Sequence, residues 1–165
     1  SIRALRPVAQ QMVIVTNPEL LERFLNEPLS VAVITDIKKY QGQGPLAGIY
    51  SAMKHVGADW YVVLPIDVPF INHQTIRRLC SLARADKEAV IPVVSGHLQP
   101  LIAIYHSSVK EKMKRHLDDG RRSMQSLLEK LNVYFLPVDD ETPFININHR
   151  TDYQKFIGNR DHSPT

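Results

Sequence analysis

Trp60-Tyr61-Val62-Val63-Leu64-Pro65-Ile66-Asp67-Val68-Pro69 is the stretch on which the fold of this sequence turns. Residues 60–65 form an unbroken apolar run, without the alternation of polar and apolar side chains that marks a strand with one face in water. Such a run is expected of a strand buried on both faces, the environment of a parallel sheet covered by helices. It is far shorter than the roughly 20 residues needed to cross a bilayer. It ends on an acidic residue, Asp67, followed by Pro69, so a carboxylate is expected just beyond the end of a buried strand.

Working towards the amino terminus, residues 31–34 read as a short buried strand, and Asp36 then opens a polar, glycine-rich loop that reaches Gly44-Pro45. A helix is expected over 46–56. Residues 12–16 read as a further strand, with Asn17-Pro18 as cap and first residue of a helix over 19–26. Towards the carboxyl terminus, Asn72 can cap a helix running to residue 84. Residues 89–94 and 98–105 read as strands flanking Ser95-Gly96. Two helices over 108–117 and 122–131, divided by Asp118-Asp119-Gly120, lead into a strand over 133–136. A last strand over 144–148 and a short helix over 151–157 complete the reading. Strands alternating with helices predict right-handed crossovers and a largely parallel sheet with helices on both faces, a three-layer α/β arrangement. Neither repeat nor linker interrupts it, so residues 1–165 are expected to form one domain.

The composition agrees with a globular chain of 165 residues, 44% hydrophobic and 22% charged. Nothing at the amino terminus has the pattern of a secretory signal, and the cytoplasm is the expected location. The single cysteine, Cys80, shares helical spacing with Ile76, Leu79 and Leu82 and reads as a core residue. Seven histidines are scattered without metal-ligand spacing, which argues against structural zinc. The net charge of +3 suits an anionic small molecule and is too small to argue for nucleic acid. No membrane partner is expected.

Ligands of open parallel sheets lie in the crevice beyond the carboxyl ends of the strands, where both Asp36 and Asp67 fall. A hard cation such as Mg2+ takes oxygen ligands, commonly one or two carboxylates plus substrate phosphates, and Asp67 suits that role. A turn residue ahead of Pro69 is the plainer reading of the same aspartate. The stretch Gly42-Gln43-Gly44-Pro45-Leu46-Ala47-Gly48 leads from loop into helix, and its glycines would let backbone approach a phosphate or a base edge. No Lys-Ser/Thr pair follows, so it is not a P-loop. Arg121 and Arg122 stand at the expected start of a helix, where cations gain nothing from the dipole, which points either to an anionic partner or to a solvated face. Asn146 and Asn148 fall on one side of the last strand, able to cap loops or to bind a ligand or metal.

Three motifs, Gly44-Pro45-Leu46-Ala47-Gly48, Asp67-Val68-Pro69 and Phe144-Ile145-Asn146-Ile147-Asn148, occur in the order and at about the spacing of the MobA family, which the chain resembles throughout. The resemblance implies a Rossmann-like nucleotidyltransferase fold and transfer of GMP from GTP to molybdopterin, with release of pyrophosphate. It implies Asp67 as the magnesium aspartate and a catalytic residue, Asp36 as a GTP contact, and Gly44, Pro45, Leu46 and Gly48 as nucleotide-pocket residues. Arg121, Arg122, Asn146 and Asn148 would face the pterin phosphate or support the metal, with Arg122 taking part in catalysis. Molybdoenzymes or other proteins of molybdenum cofactor biosynthesis are the implied partners. The family begins with a strand and a Leu-Ala-Gly-Gly loop with a downstream lysine, which bind the triphosphate. Neither occurs here, and this implies a nucleotidyltransferase domain incomplete at its amino end. His149-Arg150 also departs from the family's Thr-Pro. Two other readings stay open at this point: a related transferase using CTP on the same pterin, and a pterin-binding module without catalysis.

Overall fold

The structure, a computed structural model, describes residues 13–16, 32–65 and 70–144. The expected helices over 19–26 and 151–157 and most of the strand over 144–148 lie outside the described residues, as do Asp67, Asn146 and Asn148.

The described elements follow the expected order. Strands β1 (Val13–Thr16) and β2 (Ala32–Thr35) pair in parallel, Val13 opposite Ala32 and Thr16 opposite Thr35. Helix α1 (Gly44–His55) follows, then β3 (Trp60–Val63), α2 (His73–Ser81), β4 (Ala89–Val94), β5 (His97–Leu98) and β6 (Ala103–His106). Helices α3 (Lys110–Asp118) and α4 (Met124–Leu128) lead to β7 (Val133–Val138).

Beside the parallel pair β1–β2, the described strands form a five-stranded sheet that is mixed rather than mostly parallel. β6 lies antiparallel between β3 and β4, while β7 runs parallel to β4 on the other side. The antiparallel member arises because β4 and β5 form a hairpin through Ser95-Gly96, both with positive φ (50° and 76°), the backbone of a tight two-residue turn. The returning segment, expected as one strand over 98–105, is two. Leu98 lies opposite Val93 and Ile104 opposite Val90, so three extra residues are accommodated between β5 and β6. Pro100, which has no N–H to give to a ladder, sits in this break. The Gln99 amide donates to Pro92 O (2.9 Å), the Ile102 amide to Gln99 O (3.2 Å), and the buried Tyr105 hydroxyl to Pro100 O. Desolvation pushes the Tyr105 hydroxyl well above the usual phenol range, so it stays a donor.

Period-two alternation sorts the sheet into two faces. Ala89, Ile91, Ala103 and Tyr105 pack against Leu46, Tyr50 and Met53 of α1, Met113 and Leu117 of α3, and Leu127 of α4. Val90, Ile104 and Leu136 face the other way, onto Leu79 of α2, and Val94 and Ile102 pack with Ile76. Helices thus cover both faces, the three layers anticipated. Cys80, expected in the core, is exposed. The buried stripe of α2 is narrow, centred between Ile76 and Leu79, and Cys80 falls at its edge.

Candidate functional site

β2 delivers Asp36 to the start of the glycine-rich loop, as expected. The next residue is fastened to α1: the Ile37 amide donates to Ser51 Oγ (2.9 Å), and the buried Ser51 hydroxyl donates to Ala47 O (2.7 Å). Residues Lys38–Tyr40 make one 3-10 turn, which drives Tyr40 into the core. There its ring lies edge-on to Tyr50 with centroids 5.7 Å apart. Gly42 and Gly44 then take φ of +79° and +76°. A Cβ at either would meet nothing within 4 Å, so the glycines are required by backbone conformation rather than by room. α1 begins at Gly44, with Gln43 at its cap position and, among the described residues, no side chain capping its first turn. Gln43 Oε1 is buried without a hydrogen-bond partner among the described residues. A loop of left-handed glycines running into an uncapped helix start presents backbone N–H groups suited to an anion.

Gly48 is the point at which α1 passes the ends of β1 and β2. A Cβ there would lie 3.5 Å from Asp36 Oδ1 and 3.6 Å from Val15 Cγ1. The Asp36 carboxyl is half-buried and makes no hydrogen bond or ion pair among the described residues, and burial raises its pKa from the ordinary aspartate value. Leu46 is wholly buried, so a nucleotide in this loop would meet its backbone and not its side chain.

The arginine pair reaches the same loop by way of α3. That helix ends in a Schellman motif: Gly120 has φ +74°, its amide donates to Leu117 O (3.0 Å), and the Arg121 amide donates to His116 O (2.8 Å). Arg121 and Arg122 therefore precede α4 instead of opening it, because Ser123 is the cap, accepting from the Ser126 amide (3.2 Å). Both arginines are exposed, and Arg122 Nη1 donates to Gly42 O at 3.4 Å. Asp36, Gly44, Pro45, Leu46, Gly48 and Arg122 are thus gathered around one loop and helix start, whereas Asp67, Asn146 and Asn148 lie outside the described residues.

Sequence reading missed the supports of this loop. Asp118, read only as part of a divider between helices, accepts from the Tyr40 hydroxyl and pairs with Lys39 Nζ (3.0 Å) and Lys114 Nζ (2.7 Å). Hydrogen bonds from Lys114, Tyr40 and Lys39 hold its carboxyl far below the usual range. The available signal was Tyr40 itself, an aromatic in a polar stretch that has to bury its ring and satisfy its hydroxyl.

Strand directions place the remaining feature. β3 and β4 are each antiparallel to β6, and β7 is parallel to β4, so β3, β4 and β7 point their carboxyl ends to one rim. A shallow depression of about 270 Å³ opens on that rim, lined by Val94, Ser95, His97, Gln99, Glu141 and Phe144. Among the described residues no group of three or more His, Cys, Asp or Glu side chains is arranged to hold a metal. No helix among them is long and apolar enough to cross a membrane.

Comparison with known proteins agrees with this fold. A protein of Bacillus cytotoxicus named "Probable molybdenum cofactor guanylyltransferase" is 37% identical over 160 residues, 94% of this chain and 80% of that protein. One of the same name from Bacillus anthracis is 36% identical over 166 residues, covering 96% and 82%. Among solved structures, molybdopterin-guanine dinucleotide biosynthesis protein A from Archaeoglobus fulgidus superposes with a TM-score of 0.75 at 29% identity, over 90% of this chain and 78% of that one. A 2-C-methyl-D-erythritol 4-phosphate cytidylyltransferase from Thermus thermophilus superposes with a TM-score of 0.69 at 15% identity, over 97% and 87%, which speaks for the fold alone. Residues 1–135 match the MobA-like NTP transferase domain, and the chain belongs to that family of Rossmann-like nucleotidyltransferases.

Proposed function

We propose that this protein is a molybdenum cofactor guanylyltransferase, joining GMP from GTP to molybdopterin with release of pyrophosphate. The observation that carries the reading is the gathering of Asp36, the Gly42–Gly48 stretch and Arg122 at one loop, in a chain 36–37% identical to relatives of that name. The reaction is an in-line attack by the terminal phosphate of molybdopterin on the α-phosphate of GTP. That phosphate is already anionic, so no protein nucleophile is needed and the protein's contribution is positioning and electrostatics.

In this reading the left-handed glycines and the uncapped start of α1 receive the nucleotide, with Gly44, Pro45, Gly48 and the Leu46 backbone against it. Asp36 accepts hydrogen bonds from it. Arg121 and Arg122 offset charge on the acceptor phosphate, helped by Asn146 and Asn148. Asp36 suits Mg2+, being a half-buried carboxylate with no cation paired to it among the described residues, and in sequence Asp67 is a second carboxylate shortly after β3. Mg2+ held by Asp67 would offset the charge that builds on the phosphates.

The test is pyrophosphate release from GTP, molybdopterin and Mg2+ by the full-length protein, with GTP and CTP binding compared by calorimetry. Turnover with GTP is expected, and Asp67→Ala should abolish the Mg2+-dependent part of it. Tight CTP binding would reassign the base, and nucleotide binding without pyrophosphate release would reduce the protein to a binding module.

A further inference from the structure

Asp118 is an odd residue to find where it is. It is the last residue of α3, where the negative end of the helix dipole opposes a carboxylate, and acidic side chains there lose stability rather than gain it. What offsets the placement is a set of three donors. Lys114 comes from one turn earlier in the same helix, but the other two, Lys39 and the Tyr40 hydroxyl, come from the glycine-rich loop 78 residues away in sequence. Tyr40 is 3% exposed, and its ring is held by Tyr50 and the core whether or not it carries a hydroxyl. The hydroxyl therefore adds direction rather than burial. It joins the turn Lys38–Tyr40 to the end of α3, and the Gln43 amide, between Gly42 and Gly44, donates to Tyr40 O at 3.1 Å. Two residues past Asp118, the Gly120 reversal sends Arg122 back to Gly42 O. Lys39, Tyr40 and Gly42 of this segment are thus tied to the carboxyl end of α3 and the turn that follows it.

We propose that the Tyr40–Asp118 hydrogen bond sets the conformation of the nucleotide-receiving loop, which makes Asp118 a positioning residue for GTP that acts through Tyr40. The proposal rests on the guanylyltransferase reading above. Asp118 touches neither substrate. It fixes the loop before GTP arrives, so that the ordering of two left-handed glycines is not charged against binding.

The experiment compares Tyr40→Phe, Asp118→Asn and their double variant with the full-length wild type and with Lys114→Gln. Readouts are GTP affinity by calorimetry, KM for GTP, KM for molybdopterin, kcat and Tm. Loss of a hydrogen bond to a charged group predicts a weakening of GTP binding by about tenfold in each single variant. KM for GTP should rise to match, with kcat and KM for molybdopterin within about twofold. The double variant should be no weaker than the singles, because both remove one strut. Lys114→Gln, which leaves the Tyr40 bond in place, should keep GTP affinity within about twofold of wild type. Unchanged GTP affinity in Tyr40→Phe overturns the proposal, as does a uniform loss of kcat and both KM values in step with a fall in Tm. A wild type that binds GTP without transferring it would instead count against the guanylyltransferase reading, and the affinity arm would still test the strut.

Discussion

At the scale of single residues, Asp36 shows how position and environment separate. Its place after a short apolar run was readable, since a strand ending in an acidic residue is a pattern of sequence. Its half-burial beside Gly48, with no counter-charge among the described residues, is a property of how α1 crosses the strand ends. Burial disfavours the ionised form, so the folded-state pKa lies above the unfolded value near 3.8. The sign of the pH dependence follows: between those two values the native state holds the proton more tightly, stability falls as pH rises, and the loss persists at neutral pH. Asp36→Asn should therefore raise Tm at pH 7, with the gain vanishing below about pH 4, where the wild-type carboxyl is protonated in both states. The same substitution should weaken GTP binding if Asp36 contacts the nucleotide. Thermal melts across pH check the first outcome and calorimetry the second.

At the scale of elements, local chemistry decided ends better than lengths. Asn72 caps α2 as its side chain predicts, accepting from the Thr75 amide at 2.9 Å, and Asp118-Asp119-Gly120 ends α3 where a glycine after a helix should. The break between β5 and β6 was not readable, because the apolar character of residues 98–105 continues straight through it. Only pairing with β4 reveals the three extra residues. Gly120 is the element-scale feature with the clearest consequence. At φ +74° a side chain is strained, so Gly120→Ala should cost about 1–2 kcal/mol of stability. It should also weaken binding of the acceptor, by displacing Arg121 and Arg122, more than binding of GTP. Denaturant titration gives the first quantity, and the KM for molybdopterin gives the second.

At the scale of the whole molecule, the two faces of the sheet do different work. The face covered by α1, α3 and α4 carries the loop, its strut and the arginines, whereas the face covered by α2 carries packing. A fully buried side chain on the second face tests the division. Leu79→Ala should cost about 2–5 kcal/mol, which for a domain of this size is roughly 4–20 °C in Tm. KM for GTP measured well below the new Tm should stay unchanged. A rise in KM would mean that the layers are coupled more closely than their separate clusters imply.

By itself the sequence determined the layered α/β architecture, the order of the described elements and the glycine-rich turn that leads into α1. These rest on periodicity, caps and glycines, whose effects act within a few residues along the chain. The antiparallel entry of β6, the exposure of Cys80, the strut from Tyr40 to Asp118 and the reach of Arg122 to Gly42 were decided only by the tertiary structure. Each depends on which surfaces meet across tens of residues, and the hydrogen bonds and burial that select those meetings exist only once the layers have packed.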